Sequence, residues 1–260
     1  MMHTMDGPRQ SWSIIIFSYN EAGTLRSVIE SAEQFFATIG CVRNEIIVVD
    51  DGSTDNSREI VRAAAEDFSN IRAFYHPKNL GIGHALRSGY AAVQYENVSA
   101  VPGDGQFNLA ELVPFASLSQ NTFVSFYRVE NTIYSRGRNI LSYANKRLNA
   151  KFLGLEFRDV NWVKIYKRSD LAKLNLRMKS SLVESEICAK LLLGNRRVIE
   201  SRSVYHPRKA GKSKGASLPV VLQAALETLK LIWTVNLYRM KHRRELRCAD
   251  SQPHIETASR

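Results

Sequence analysis

Short apolar runs alternate with helix-period stretches through the first half of the chain. SIIIFSY (13–19), EIIVVD (45–50), IRAFY (71–75), VSAV (98–101) and TFVSF (122–126) read as strands, several of them apolar on both faces as buried parallel strands are. Helical patterns fill the intervals at about 21–38, 55–68, 81–95 and 109–118, the second opened by the cap-like Ser53-Thr54-Asp55. This βαβα order predicts an α/β fold, an open and mostly parallel sheet covered by helices. Beyond residue 126 the pattern is less regular, with helical stretches near 139–151, 183–193 and 218–240 around the strand-like DVNWVKIY (159–166) and RRVIESRSVY (196–205). No repeat, low-complexity tract or linker interrupts the chain, so the second half is expected to build onto the same core.

Composition narrows the partners. The 260 residues are 44% hydrophobic and 23% charged, an ordinary globular balance, and the net charge of +11 favours anionic ligands. Nucleic acid is not expected, because the basic segments lack the aromatic interleaving of a base-stacking platform. The three cysteines, Cys41, Cys188 and Cys248, are odd in number and far apart, which indicates neither a disulfide framework nor a zinc site and fits a reducing cytoplasm. No apolar h-region stands in MMHTMDGPRQSW, so no signal peptide is expected. The long apolar stretch 218–240 is broken by Gln223, Glu227 and Lys230, which argues against a membrane span. Its Leu222, Leu226, Leu229, Trp233 and Leu237 form a helical stripe, for a packing helix or an interfacial one.

In open parallel sheets ligands sit at the carboxyl ends of the strands. Polar residues and glycines gather at three such ends: Tyr19-Asn20-Glu21, Asp50-Asp51-Gly52-Ser53, and Pro102 to Gln106. The adjacent carboxylates of Asp50 and Asp51 repel each other, and a bound ligand would offset that cost; a turn with a helix cap is the simpler reading. In VPGDGQF (101–107) the Asp104 carboxylate and the Gln106 amide suit Mg2+ or Mn2+, which take few protein oxygens and complete their shell with phosphate and water; a common Asp-Gly turn is the competing reading. NLGIGHALRSGY (79–90) is not the dinucleotide fingerprint, since the third glycine would fall at Leu86; small residues packing a helix on the sheet is the simpler reading, and a close backbone approach to a nucleotide is the other. Phosphate ligands are available in Arg128, Arg136 and Arg138 and in HPRKAGKSKG (206–215), which carries Arg208, Lys209, Lys212, Ser213 and Lys214. A solvated basic surface is the plain alternative.

In this order the segments FSYNE (17–21), VVDDGSTDNS (48–57), NLGIGHALRSG and GDGQF resemble glycosyltransferase family 2, and within it the dolichyl-phosphate mannose synthase and polyprenyl-phosphate glycosyltransferase branch. The resemblance continues through IYSRGRN (133–139), DVNWVKIYKRSDLAKL (159–174), ESEICAKLLLGNRRVIE (184–200) and the loop at 206–215. It implies a GT-A, Rossmann-like domain over 11–217, with a nucleotide-sugar half at 11–126 and an acceptor half at 127–217. An amphipathic helix and basic segment (218–244) and a flexible tail (245–260) would follow.

The resemblance also implies a nucleotide-diphosphate sugar, UDP- or GDP-linked, as donor. Tyr19, Glu21 and Asp50, with Asp51 beside them, would hold the base and ribose, Asp104 and Gln106 the metal, and Arg208, Ser213 and Lys214 the phosphates. Two departures stand out. Pro102 occupies the place of the first Asp of the family's Asp-x-Asp, and Asn161-Trp162-Val163-Lys164-Ile165 replaces a Thr-Ser-Gly-Phe-Arg type segment. The expected reaction is an inverting transfer to a polyprenyl phosphate, oriented by Arg128, Arg136 and Arg138 at the inner face of the membrane. A hydroxyl acceptor would instead need a base, for which Asp159, Glu184 and Glu186 are the candidates. A catalytically weak nucleotide-sugar binding protein is the reading from another class.

Overall fold

The computed structural model describes residues 10–129, 153–155, 157–204 and 218–250. Among these, seven strands form one sheet in the order β3-β2-β1-β4-β6-β5-β7. They are β1 (Ser11–Ser18), β2 (Arg43–Asp50), β3 (Ile71–Tyr75), β4 (Asn97–Pro102), β5 (Thr122–Arg128), β6 (Lys164–Lys167) and β7 (Arg197–Ser203). β1 runs parallel to β2 and β4, β2 to β3, and β5 to β7, while β6 is antiparallel to both β4 and β5. The α/β fold and mostly parallel sheet expected from the pattern are present.

The helices follow from the same periodicity: α1 (Leu25–Thr38), α2 (Ser57–Asp67), α3 (Ile82–Ala92), the single turn α4 (Arg168–Leu171), α5 (Leu182–Leu193) and α6 (Leu218–Asp250). Strand side chains alternate between two cores, which is why the strands read as continuous apolar runs. Ile15, Ile47 and Val49 face the core shared with α3, α5 and α6. Ile14, Ile16, Ile46 and Val48 face the one shared with α1 and α2.

Three elements differ from the pattern. The helical stretch at 109–118 is a 3-10 helix, Leu109–Phe115, because Pro114 within it has no N–H for an α-helical ladder. The strand-like 159–166 is strand only from Lys164, because Asp159 accepts the Asn161 N–H and the buried Lys164 ammonium donates to the carbonyls of Val160 and Trp162, holding a turn. In α6 the stripe seen in the sequence is largely exposed at Leu226, Leu229 and Trp233 and half-buried at Leu237, while Leu231, Thr234 and Val235 pack inward. The helix expected at 139–151 and the loop at 206–215 lie outside the described residues.

Candidate active site at the strand ends

The parallel register aligns the chemistry. Ser18 pairs with Asp50, Phe17 with Pro102, and Asp50 with Tyr75, so the carboxyl ends of β1, β2, β3 and β4 open at one level. Cross-links then fix them: the Asp51 N–H donates to Ser18 O at 2.9 Å and the Gly103 N–H to Phe17 O at 3.0 Å. Thr24 Oγ1 adds a bond to Gly103 O at 2.8 Å.

The loop after β1 is fastened to the turn after β2. Asn20, in the left-handed region at φ 57, donates its N–H to Ser53 Oγ at 2.9 Å and accepts the Thr54 N–H on Oδ1 at 2.8 Å. The N–H of Glu21 donates to Ser57 Oγ and that of Ala22 to Asp55 Oδ2, both at 3.1 Å. Tyr19 and Glu21 are thereby held on the half-buried rim beside Asp50. Gly52 at φ +76 makes the close approach possible, since a Cβ there would lie 2.3 Å from the backbone of Lys78.

The two adjacent carboxylates have separate duties. Asp51 spends both oxygens on the fold: Oδ1 meets the Leu80 N–H at 3.0 Å and His76 Nδ1 at 2.7 Å, and Oδ2 takes the Gly81 N–H at 2.7 Å. Its expected place among the nucleotide-sugar ligands is therefore corrected to a clamp on the start of α3. Asp50, fully buried, accepts from Arg58 Nε at 2.9 Å and the Ser53 N–H at 3.2 Å on Oδ2, while its Oδ1 has no partner among the described residues. Arg58, His76 and backbone donors offset the repulsion between the carboxylates without a ligand, so that part of the argument for a bound group falls. The orphaned Oδ1 is a separate and stronger sign of one, because an unpaired buried acceptor costs about 1–3 kcal/mol.

At the end of β4, Pro102 sits where its missing N–H does no harm. The next N–H, of Gly103, points to β1, so that of residue 102 would point toward β6, whose ladder with β4 ends at Ser99. The chain then turns: the Gln106 N–H donates to Asp104 Oδ1 at 3.1 Å, and Gly105 takes φ +72. Asp104 is buried at the site and Gln106 half-buried. One carboxylate and one amide oxygen fit a divalent ion whose remaining ligands are diphosphate and water. Among the described residues no group of three His, Cys, Asp or Glu side chains forms a self-sufficient metal cage.

The same turn reaches the second half of the chain. Phe107 packs edge-on against Phe126 and Trp162, with centroids 5.4 and 6.0 Å apart. The Arg128 guanidinium lies 4.8 Å from the centroid of the Trp162 ring, and its Nε donates to Asp159 Oδ2 at 2.7 Å. Trp162 is anchored by Nε1 donating to Ser203 Oγ at 2.9 Å. Arg128 and Asp159, expected in alternative roles, thus form one ion pair beside the Asp104 turn.

Two other base candidates are corrected by their burial. Glu184 accepts from Tyr90 Oη at 2.6 Å and Tyr166 Oη at 2.7 Å, with Lys164 Nζ at 3.8 Å. Glu186 accepts the N–H groups of Arg177 and Met178 and Lys190 Nζ at 2.6 Å. Both belong to the interior of α5 and serve packing. Burial, and then the Glu184 charge, holds the Tyr90 phenol well above its usual range; burial and then the charges of Cys188 and Glu184 do so for Tyr166. Burial also pushes the Cys188 thiol up to about 11. Arg136, Arg138, Arg208, Lys209, Lys212, Ser213 and Lys214 lie outside the described residues.

The glycines of NLGIGHALRSGY pack as the simpler reading has it. A Cβ on Gly83 would lie 2.2 Å from Lys179 O, and one on Gly89 2.4 Å from the Ile15 side chain. Sequence reasoning missed Arg58 and His76. His76 follows directly on β3, whose register could have placed it near Asp51, whereas nothing in the sequence marks Arg58, the second residue of α2.

A doubly wound sheet with a polar cleft across three adjoining strand ends is the architecture in which open α/β sheets take their ligands. The chain belongs to glycosyl transferase family 2, whose sequence model matches residues 13–174. It is 31% identical over 110 residues to a dolichyl-phosphate beta-glucosyltransferase of Trichomonas vaginalis, covering 41% of this chain and 34% of the relative. It is 34% identical over 116 residues to the undecaprenyl-phosphate 4-deoxy-4-formamido-L-arabinose transferase of Yersinia pestis, covering 43% and 34%. The chain thus spans about a third of the length of these curated relatives. The fold is GT-A, as in glucosyl-3-phosphoglycerate synthase of Mycobacterium tuberculosis, solved with Mn2+, uridine diphosphate and phosphoglyceric acid. That likeness has a TM-score of 0.61 at 19% identity over 88% of this chain and 78% of the other.

Proposed function

We propose that the protein is an inverting glycosyltransferase that moves a sugar from a UDP- or GDP-linked donor to a polyprenyl phosphate. The observation that carries this reading is the aligned cleft of β1, β2 and β4, with the unpartnered Asp50 Oδ1 at one end and the Asp104–Gln106 turn at the other. Asp50 accepts an N–H or O–H of the base or ribose, between Tyr19 and Glu21 on the rim. Asp104 and Gln106 hold Mg2+ or Mn2+ together with the donor's diphosphate. The ion supplies positive charge to the departing nucleoside diphosphate. Arg208, Ser213 and Lys214 add phosphate ligands in this reading, which rests for them on the family resemblance.

The acceptor phosphate is already an anionic nucleophile, so one of its oxygens attacks the anomeric carbon in line and the bond to the diphosphate breaks, with no general base. Arg128 orients that phosphate, and Asp159 orients Arg128 through their ion pair; Arg136 and Arg138 are added to this role on the family resemblance alone. The polyprenyl-phosphate names of the two relatives support this acceptor. So does α6, whose Leu226, Leu229, Trp233 and Met240 are all exposed on one face, suited to lying in an anionic leaflet. Among the described residues no helix is long and apolar enough to cross a membrane. A peripheral attachment at the cytoplasmic leaflet is the corresponding location.

The test is a transfer assay with purified protein, Mg2+ or Mn2+, a panel of UDP- and GDP-sugars, and a short polyprenyl phosphate beside sugar and sterol hydroxyl acceptors. A lipid-linked monosaccharide phosphate supports the proposal. Transfer to a hydroxyl acceptor alone, or donor binding without transfer, contradicts it.

A further inference from the structure

A cavity of about 490 Å3 opens away from the strand-end cleft, between the segment following α4, the end of α5 and one flank of α6. Topology puts it at the other end of the sheet. Its Asp170 follows Lys167, which pairs with Asn97 at the amino end of β4. Its Arg196 precedes Arg197, which pairs with Thr122 at the amino end of β5. The volume is within the range of small-ligand pockets, roughly 300–1,000 Å3.

The lining is cationic. Lys173, Arg177, Lys190, Arg196 and Lys241 meet there against one carboxylate, Asp170. Two of these cations are committed to the walls. Arg196 forms a two-pronged pair with Asp170, at 2.9 and 2.7 Å. Lys190 donates to Glu186 Oε1 and to Asn175 O, both at 2.6 Å. Lys173 and Arg177 are exposed at the mouth, and no described carboxylate pairs with either. On the α6 side Thr234 lines the same cavity, and its hydroxyl is buried and without a hydrogen-bond partner among the described residues.

A buried hydroxyl lacking an acceptor, beside a guanidinium and an ammonium lacking counter-charge, is a site short of one anionic group. Arg presents a planar fork matched to phosphate oxygens and Lys a point charge. We propose that this cavity is a second anion site, distinct from the strand-end cleft, that takes the phosphate of a ligand. The ligand is either a small phosphorylated metabolite or the headgroup of an anionic lipid. Lys173 and Arg177 hold two of its oxygens and Thr234 donates to a third.

Amide NMR titration of the full chain without divalent metal, using inorganic phosphate and separately monomeric dihexanoyl phosphatidic acid, tests this. Saturable shifts at residues 173–178 and 234–242 are expected with at least one probe. Similar affinities mark a soluble phosphate ligand, and tenfold or tighter binding of the lipid marks a headgroup. The double variant Lys173→Gln/Arg177→Gln, altered only at exposed positions, is expected to lose at least tenfold in affinity with an unchanged circular dichroism spectrum. Asp104→Ala is expected to bind at this cavity as the wild type does. Absence of saturable shifts at these residues with both probes, or unchanged affinity in the double variant, overturns the proposal.

Discussion

Arg128 Nε lies 2.7 Å from Asp159 Oδ2, so the two residues expected to serve rival acceptor chemistries are bound to each other. If the acceptor is a lipid phosphate, Arg128→Gln removes a charge-assisted contact worth about 1.5–3 kcal/mol, or roughly tenfold to a hundredfold in kcat/KM. Affinity for the nucleoside diphosphate is expected to stay within about twofold by calorimetry. Asp159→Asn is expected to lose less than Arg128→Gln and to leave the pH profile unchanged. A strict requirement for Asp159, with loss of the acidic limb of that profile, would instead identify it as a base for a hydroxyl acceptor.

Asp51 makes a prediction about folding. Its carboxylate holds the N–H groups of Leu80 and Gly81 and His76 Nδ1. Asp51→Ala leaves these buried partners unsatisfied and is expected to lower stability by about 2–4 kcal/mol in urea denaturation. Retention of wild-type stability together with loss of donor affinity would return Asp51 to the ligand set.

The difference between Asp50 and Asp51 also shows where the sequence stops being informative. Alternating apolar runs located all five strands of the first half, because buried parallel strands need apolar residues on both faces. Glycine and carboxylate punctuation located the cleft, because only strand ends tolerate such residues. That Asp50, which ends the apolar run, is the better ligand candidate was legible; what Asp51 does instead was not, since it depends on His76 and on the N–H groups of Leu80 and Gly81, brought in from beyond β3. Glu184 and Glu186 misled for a related reason. They sit on a helix buried nearly all round, where Tyr90, Tyr166 and Lys190 supply the polar partners that a solvent-facing acid would not need. The outward stripe of α6 was visible as a stripe, but its direction was set by Leu231 and Val235, which do not belong to it.

The buried hydroxyls and thiol beneath β6 fix an alkaline limit. Tyr90, Tyr166 and Cys188 all have folded-state pKa values raised above their ordinary ones, Cys188 to about 11. A raised folded pKa means that the unfolded chain loses its proton first, so the stabilisation is complete below the unfolded pKa and is lost as pH rises. Urea midpoints measured between pH 8 and 11 are expected to fall from near pH 9 for the thiol, and more steeply above pH 10 as the phenols join. The slope is about 1.4 kcal/mol per pH unit for each group. A flat profile to pH 11 would contradict the burial of these side chains.

The exposed face of α6 carries Trp233, which reports on its own environment. Vesicles containing anionic phospholipid are expected to shift its emission to the blue, and neutral vesicles to do so weakly. Leu229→Glu, at an exposed position, is expected to abolish the shift and leave transfer to a short, water-soluble acceptor intact. No shift with either vesicle would remove the membrane from the account.

The most direct test concerns Asp104, the one carboxylate in the turn proposed to hold the metal. The account predicts that the wild type forms a lipid-linked monosaccharide phosphate only with Mg2+ or Mn2+ present, and that Asp104→Ala is slower by about a hundredfold or more at saturating donor. Asp104→Ala working at the wild-type rate, with its divalent requirement unchanged, would contradict it.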